Sequence, residues 1–179
     1  MTHYGSEQLA ASFRTVRLNT LQAARDIPAE QYDFSPSEGF MTVEKLLTHI
    51  ALSSDFQYQV HAVGQLTDMA EFDWMSYMGE IQKEQDKARS KDEVIALLEE
   101  AGEQWASFLD DVSDDFLAET VTFPEAWSQP PKSRFEMLLS VKEHEMHHRG
   151  QLMVIQRLLG IVPHLTRRRE ARMREAREA

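Results

Sequence analysis

Three histidines in this chain have the residue type and spacing to bind a metal ion. Two of them, His144 and His148, are four positions apart in the segment KEHEMHHRGQL. Residues four apart in a helix lie on one face, about 6 Å apart along the axis, so two imidazoles placed in this way can share one ion. Taken alone, such a pair fits an ordinary capping or surface role equally well.

The surroundings of the pair favour a buried position. Its helix carries an apolar stripe at helical spacing, which includes Met137, Val141, His144, His148, Gln151, Ile155 and Leu158. Two buried imidazoles without partners leave polar nitrogens unpaired, and their protonated forms would repel each other in a low-dielectric interior. A bound metal ion removes both costs.

A third histidine lies on the inner stripe of an earlier predicted helix. His49 recurs there at helical spacing with Leu46, Ser53, Phe56, Val60 and Val63. Three nitrogen ligands from two facing helices leave a coordination position open for water or substrate. Because the chain has no cysteine, any ion must be bound by nitrogen and oxygen. We therefore predict that His49, His144 and His148 bind one divalent transition metal, for which imidazole admits zinc, nickel, copper or iron.

The other four histidines are expected to serve elsewhere. His147 lies about 100° around the helix from His148. His61 is off the stripe that contains His49, and His3 and His164 lie near the two ends of the chain.

The segment containing His144, Glu145 and His148 also matches the H-E-x-x-H pattern of zinc peptidases, in which Glu145 would be the general base. Such an enzyme needs a third ligand after the motif. The short charged tail offers only His164, Glu170, Glu175 and Glu178. Because no edge strand is evident to align a peptide, we expect Glu145 instead to orient a ligand or to face solvent.

The elements that must position these residues are helices, since helix-period apolar residues dominate and no long alternating run is present. We predict an all-α fold with four long helices at about 6–26, 42–63, 90–111 and 133–159. Pro28 should end the first, Thr42 and Gly64 should bound the second, and a capping box of Ser90 and Glu93 should begin the third. Gly160 should end the fourth.

Two segments between these helices are predicted to be connections. Residues 65–90 are predicted to form a loop followed by a helical segment that leads into the third helix, with Trp74, Tyr77 and Ile81 facing inward. Residues 119–131 contain three prolines and no helical pattern, which predicts a long surface connection. Phe123 and Trp127 in that connection either cover a ligand space or simply pack on the bundle. Together these features predict a four-helix bundle.

Composition narrows the class of protein further. The net charge of -11 argues against nucleic-acid binding. No secretory leader and no apolar run of about 18 residues is evident, so we expect a cytoplasmic protein that does not bind membranes. We divide the chain into a bundle at 1–163 and an Arg-rich, solvated helical tail at 164–179.

Two segments of the chain resemble the motif regions of the DinB-like (damage-inducible) family. They are GFMTVEKLLTHIA and EHEMHHRGQLMVIQRLLG, within a likeness that spans most of residues 5–163. The family includes bacillithiol-type S-transferases and mycothiol-dependent maleylpyruvate isomerases. The resemblance implies a four-helix bundle with a long crossover connection, often a homodimer, with metal ligands matching His49, His144 and His148. The Arg-rich extension after Pro163 departs from the family pattern.

The resemblance also implies zinc or nickel as the ion, used in catalytic members to activate a low-molecular-weight thiol or a water. From this we expect a metal-dependent S-transferase or hydrolase acting on a small electrophile, because a bundle leaves room for small ligands between its helices rather than for a polymer. A non-catalytic metal-binding stress-response protein is the alternative, and the sequence does not separate the two.

Overall fold

Four long helical segments form the bundle in the computed structural model, which describes residues 4–178 and so leaves His3 outside the described residues. In chain order the helices are α1 (Ser6–Asp26), α2 (Val43–Leu52), α3 (Asp55–Tyr58), α4 (Trp74–Asp86), α5 (Lys91–Asp111), α6 (Asp114–Ala118), α7 (Arg134–Leu158) and α8 (His164–Glu178). Helix α1 packs on α5 and α7, and α2 packs on the same two helices. The all-α prediction is confirmed.

The predicted helix boundaries follow from local hydrogen bonds. Thr42, Ser90 and Ser133 each accept a hydrogen bond from a backbone N–H three residues later, which satisfies an otherwise unpaired donor of the first turn. Ser90 and Ser133 form full capping boxes with the glutamates that follow them at the third position. Helix α7 ends at Leu158, and Gly160 just beyond it has a φ of 76°, in the left-handed region that glycine adopts without strain.

The second predicted helix is interrupted, which the apolar pattern did not indicate. Helix α2 ends at Leu52, where the Ser53 hydroxyl donates to the Ile50 carbonyl at 2.8 Å and competes with the helical backbone bond. The chain resumes as α3 and then widens into a π turn over Gln59–Val63. The wider turn shifts the later side chains around the axis, so that His61 is fully buried and Val63 is 64% exposed.

The two connections carry more structure than predicted. Residues 65–90 contain a short 3-10 turn at Met69–Glu71 and the whole of α4. Residues 119–133 contain strand β1 (Thr120–Val121), which pairs antiparallel with β2 (Lys132–Ser133), and a 3-10 turn at Glu125–Trp127 between them. The pairing closes this connection into a small hairpin at the start of α7.

One buried ion pair crosses the bundle between helices α1 and α7. The Arg17 guanidinium, on α1, contacts both carboxylate oxygens of Glu145, on α7, at 3.0–3.1 Å. The same guanidinium donates to the Leu98 carbonyl of α5 at 2.6 Å. Gly102 on α5 makes room for this arginine, because a Cβ there would lie 2.9 Å from Arg17 Cγ. A residue without a side chain is thus needed where the ion pair crosses.

The Arg-rich tail is an ordered helix, α8, whose first turn packs on α1. His164 is buried and its Nε2 lies 3.0 Å from Asn19 Oδ1, while Arg167 pairs with Asp26 at 2.7 Å. Beyond this turn the described residues of the tail are exposed apart from Ala171, which is half-buried. In residues 4–178, none of the helices has the length and apolar character that a membrane span requires.

Candidate metal centre

The structure brings His49, His144 and His148 together between α2 and α7. The Nε2 atom of His144 lies 3.3 Å from His49 Nε2 and 3.1 Å from His148 Nε2. One ligand atom from each of the three rings lies within 4.8 Å of the others, and all three rings are partly buried. The two predicted helices therefore do present their imidazoles to a common point.

These separations fit three ligands of one ion. Three nitrogens bound to Zn²⁺ at tetrahedral angles, each at about 2.0–2.1 Å, lie roughly 3.4 Å from one another. Hydrogen bonds alone do not satisfy the cluster, because His144 Nε2 faces two other nitrogens and has at most one hydrogen to share. The donor set of three neutral imidazoles suits zinc, nickel and other borderline divalent metals.

The protonation of one ring is set by a neighbour on α7. His148 Nδ1 lies 2.8 Å from Gln151 Oε1, and since an amide oxygen only accepts, this Nδ1 carries the hydrogen. The Nε2 atom of a neutral His148 therefore carries a free lone pair, which is directed into the cluster. The amide nitrogen of Gln151 lies 3.3 Å from Nε2 of His147, which is exposed and outside the cluster. Gln151 thus orients a candidate ligand in the manner usual for metal-bound histidines.

The electrostatics favour the neutral form of two of the three rings, His49 and His144. Burial, with a smaller effect of the neighbouring histidines, lowers the pKa of His144 to about 4. Burial and the nearby His148 also hold the pKa of His49 below its ordinary value. Two of the three rings are consequently neutral near pH 7, which is the form that binds a metal ion.

Glu145, the possible general base of the peptidase hypothesis, is fully buried and does not join the cluster. Both of its carboxylate oxygens are engaged by Arg17. Arg17 also reaches the carbonyl of Ile50 on α2 at 3.5 Å. The ion pair therefore links the residues next to two of the histidines, Ile50 beside His49 and Glu145 beside His144.

A cavity of about 700 Å³ opens over the cluster, with His49 and His144 in its wall. Trp74, Tyr77 and Ile81 of α4 line its other side; none of them is buried, so they face this cavity rather than the core. No aspartate or glutamate lines it, although the chain has 30 of them. The space has the size of a small-molecule site.

A family model described as the DinB superfamily matches residues 12–152 of the chain. The chain belongs to the DinB superfamily. A relative of this DinB-superfamily protein, the uncharacterized protein YjoA of Bacillus subtilis, is 24% identical over 155 residues, which cover 87% of this chain and 91% of YjoA.

Solved structures share the fold of this DinB-superfamily protein. The crystal structure of the DinB-like protein YjoA matches with a TM-score of 0.64 at 22% identity, covering 86% of this chain and 92% of that one. YfiT from Bacillus subtilis, described as a probable metal-dependent hydrolase with an unusual four-helix bundle topology, matches with a TM-score of 0.66 at 16% identity, covering 90% and 91%. A protein from Exiguobacterium sibiricum that is described as a putative member of the DinB family matches with a TM-score of 0.60 at 20% identity, covering 89% and 94%.

Sequence reasoning missed a second buried network in this DinB-superfamily protein, next to the cavity. Arg134 donates to His61 Nδ1 at 2.7 Å, and His61 Nε2 lies 2.9 Å from Gln57 Oε1. Arg134 also binds Glu119 and the Gln65 carbonyl. A signal was available, since Gln57 and His61 are four apart within the helix predicted at 42–63, but the shift in the π turn hid their inward direction.

Proposed function

We propose that this protein is a metal-dependent hydrolase or thiol S-transferase that acts on a small electrophilic molecule. His49, His144 and His148 would hold one divalent ion, zinc or nickel. The observation that carries the proposal is the convergence of three imidazole nitrogens beside a cavity of about 700 Å³. Membership of the DinB superfamily and the description of YfiT as a probable metal-dependent hydrolase support it.

Each residue around the cluster has a defined task in this proposal. The three histidines offer neutral nitrogen ligands and leave coordination positions open toward the cavity. Gln151 keeps the hydrogen of His148 on Nδ1 and so directs its Nε2 inward. A divalent ion at such a site supplies the Lewis acidity that makes a water or a thiol nucleophilic near neutral pH.

The cavity sets the size and charge of the substrate. Its wall combines the imidazoles with apolar and aromatic side chains from α2, α3 and α4, and it carries no acidic group. Such a lining admits a small neutral or anionic molecule and excludes a folded polymer. The same lining is compatible with a substrate that reacts with water and with a substrate that reacts with a small thiol.

Elemental analysis of protein purified without added metal tests the metal centre. We expect about one zinc or nickel ion per chain in the wild type. His49→Ala should lose the ion, because it removes the ligand that comes from α2. His147→Ala is the matched control, since this exposed histidine lies outside the cluster, and it should keep the ion. Metal retained in His49→Ala would overturn the assignment.

Turnover is tested separately with the metal-loaded protein. Consumption of a low-molecular-weight thiol with an electrophile, or hydrolysis of small esters and amides, should be measurable in the wild type and in His147→Ala. It should be lost in His148→Ala. A protein that holds its ion but turns over none of these substrates would instead be a binding protein without catalysis.

A further inference from the structure

A second cavity adjoins the one over the histidine cluster. Its volume is about 570 Å³, and it shares four lining residues with the first: Phe56, Gln57, Trp74 and Ser140. Residues common to both walls form the junction between the two spaces. A molecule longer than the first cavity would therefore extend from the histidines past Gln57 into the second.

Aromatic side chains form the wall of the second cavity. The ring centroids of Trp74 and Trp127 are 6.0 Å apart, and those of Phe123 and Trp127 are 6.1 Å apart. Trp74 and Trp127 are each 39% exposed, so two indole rings from different connections leave apolar surface open at one place. A planar apolar group seated there would remove this surface from water and gain ring contacts.

Gln57 at the junction is fixed as a hydrogen-bond donor. A guanidinium only donates, so the contact from Arg134 requires His61 Nδ1 to accept, and the hydrogen of the neutral ring is on Nε2. That hydrogen is donated to Gln57 Oε1. The amide oxygen is thus occupied, and the Gln57 Nε2 group makes no hydrogen bond to the residues that the structure describes. Gln57 is only 9% exposed, and it lines both cavities.

The charged side chains that line the second cavity would not repel an electron-rich oxygen atom of a ligand. Lys132 lines it, and Glu136, the one carboxylate among the described residues that line it, accepts hydrogen bonds from the backbone and hydroxyl of Ser133. An oxygen acceptor would meet the Gln57 donor at the junction, and none of the described residues that line the first cavity is a carboxylate.

We propose that the two cavities form one channel for an arylalkyl carbonyl compound. Gln57 donates a hydrogen bond to the carbonyl oxygen, and Trp74, Phe123 and Trp127 hold the aryl group. The proposal rests on the proposed function, since it takes the histidine cluster as the reactive end of the channel. In this proposal the hairpin segment that carries Phe123 and Trp127 selects the substrate.

The test is calorimetric titration of the metal-loaded protein with 4-phenylbutan-2-one and with butan-2-one, ketones that accept but do not donate hydrogen bonds. We expect the aryl ketone to bind at least about tenfold more tightly, given the usual strength of aromatic contacts and burial. Trp127→Ala should abolish most of this preference. Gln57→Glu keeps the oxygen that accepts from His61 but removes the donor, and should weaken binding of the aryl ketone by about fivefold to tenfold.

Phe40→Ala is the control, because Phe40 is exposed and lines neither cavity, and it should bind as the wild type does. Equal affinity for the two ketones would overturn the proposal, as would wild-type affinity in Gln57→Glu. Circular dichroism and metal content measured on each variant exclude unfolding or metal loss as the cause. Because no turnover is required, failure of the channel is distinguishable from failure of the proposed function.

Discussion

The positions of single hydrogens separate two buried or partly buried histidines, His61 and His148, into two kinds. Both ring nitrogens of His61 are engaged, one by a guanidinium that only donates and one by an amide oxygen that only accepts. His148 has one nitrogen engaged by Gln151, so the other is left as a lone pair beside His144. The first kind serves packing and orientation, and the second is suited to bind an ion.

The burial of His61 predicts a pH dependence of folding. Desolvation and the neighbouring Arg134 lower its pKa to about 3, whereas an exposed histidine titrates at about 6.5. Between these values the unfolded chain binds a proton at this residue and the folded chain does not. The free energy of unfolding therefore falls as the pH is lowered through this window, by up to about 1.4 kcal/mol per pH unit from this residue.

Urea unfolding of wild type and His61→Asn at pH 4.5, 5.0 and 5.5 measures this contribution. Asparagine retains an oxygen that can accept from Arg134 but has no titrating group, so the variant should show a slope that is smaller by about 1.4 kcal/mol per pH unit. Other titrating groups contribute equally to both proteins. Parallel curves would show that His61 is protonated in the folded state.

At the scale of helices, the Arg17–Glu145 pair connects four helices. The apolar pattern of the sequence predicts each of these helices but not the connection between them. Arg17 on α1 contacts the Leu98 carbonyl of α5, the Ile50 carbonyl of α2 and the carboxylate of α7. The two helices that carry the candidate ligands are thus tied to one guanidinium. Their relative rotation, which sets the distance from His49 to the other two rings, depends on this crossing.

Gly102→Ala tests how closely that crossing is packed. The added Cβ would lie 2.9 Å from Arg17 Cγ and 3.0 Å from its Nη1, so the arginine would have to move from its partners. We expect a loss of about 1–3 kcal/mol in the free energy of unfolding, measured by urea denaturation. Gly79→Ala on α4 is the control, since a Cβ there meets nothing within 4 Å, and it should stabilise the helix by about 0.5–1 kcal/mol. Equal stability of the two variants would contradict this account.

At the scale of the whole molecule, the division at residue 163 remains a prediction that truncation can test. The contacts of α8 with α1 come from His164 and Arg167, and the residues from Arg168 onward are exposed apart from Ala171. Deletion of residues 168–179 should therefore change the free energy of unfolding by less than about 0.5 kcal/mol. Deletion of residues 164–179 should lower it by about 1–2 kcal/mol, because a buried ring and a partly exposed ion pair are lost.

Both truncated chains should keep the helical circular dichroism of the bundle. Light scattering on the same proteins tests whether the exposed part of α8 contacts a second copy, as the expected homodimer would allow. A large loss of stability or a change in mass on deletion of residues 168–179 would show that this segment belongs to an interface and not to a solvated tail.

Much of the fold could be predicted because its determinants are local. The capping residues Thr42 and Ser90 and the stop at Gly160 act within one turn, and all three were identified from sequence, whereas the cap at Ser133 was found only in the structure. The interruption at Ser53 could not be predicted, since a serine hydroxyl competes with the backbone only weakly and packing decides whether the helix breaks.

What the sequence by itself determined was the nearness of His144 to His148, since residues four apart share a face in any helix. It also determined that His49 could face the same interior. Only the tertiary structure decided that the three Nε2 atoms lie close together and that His61 turns inward. It also decided that the Glu145 carboxylate pairs with Arg17 and does not line the cavity. The reason is that the rotation of one helix against another depends on the packing of the whole core, and no single segment carries that information.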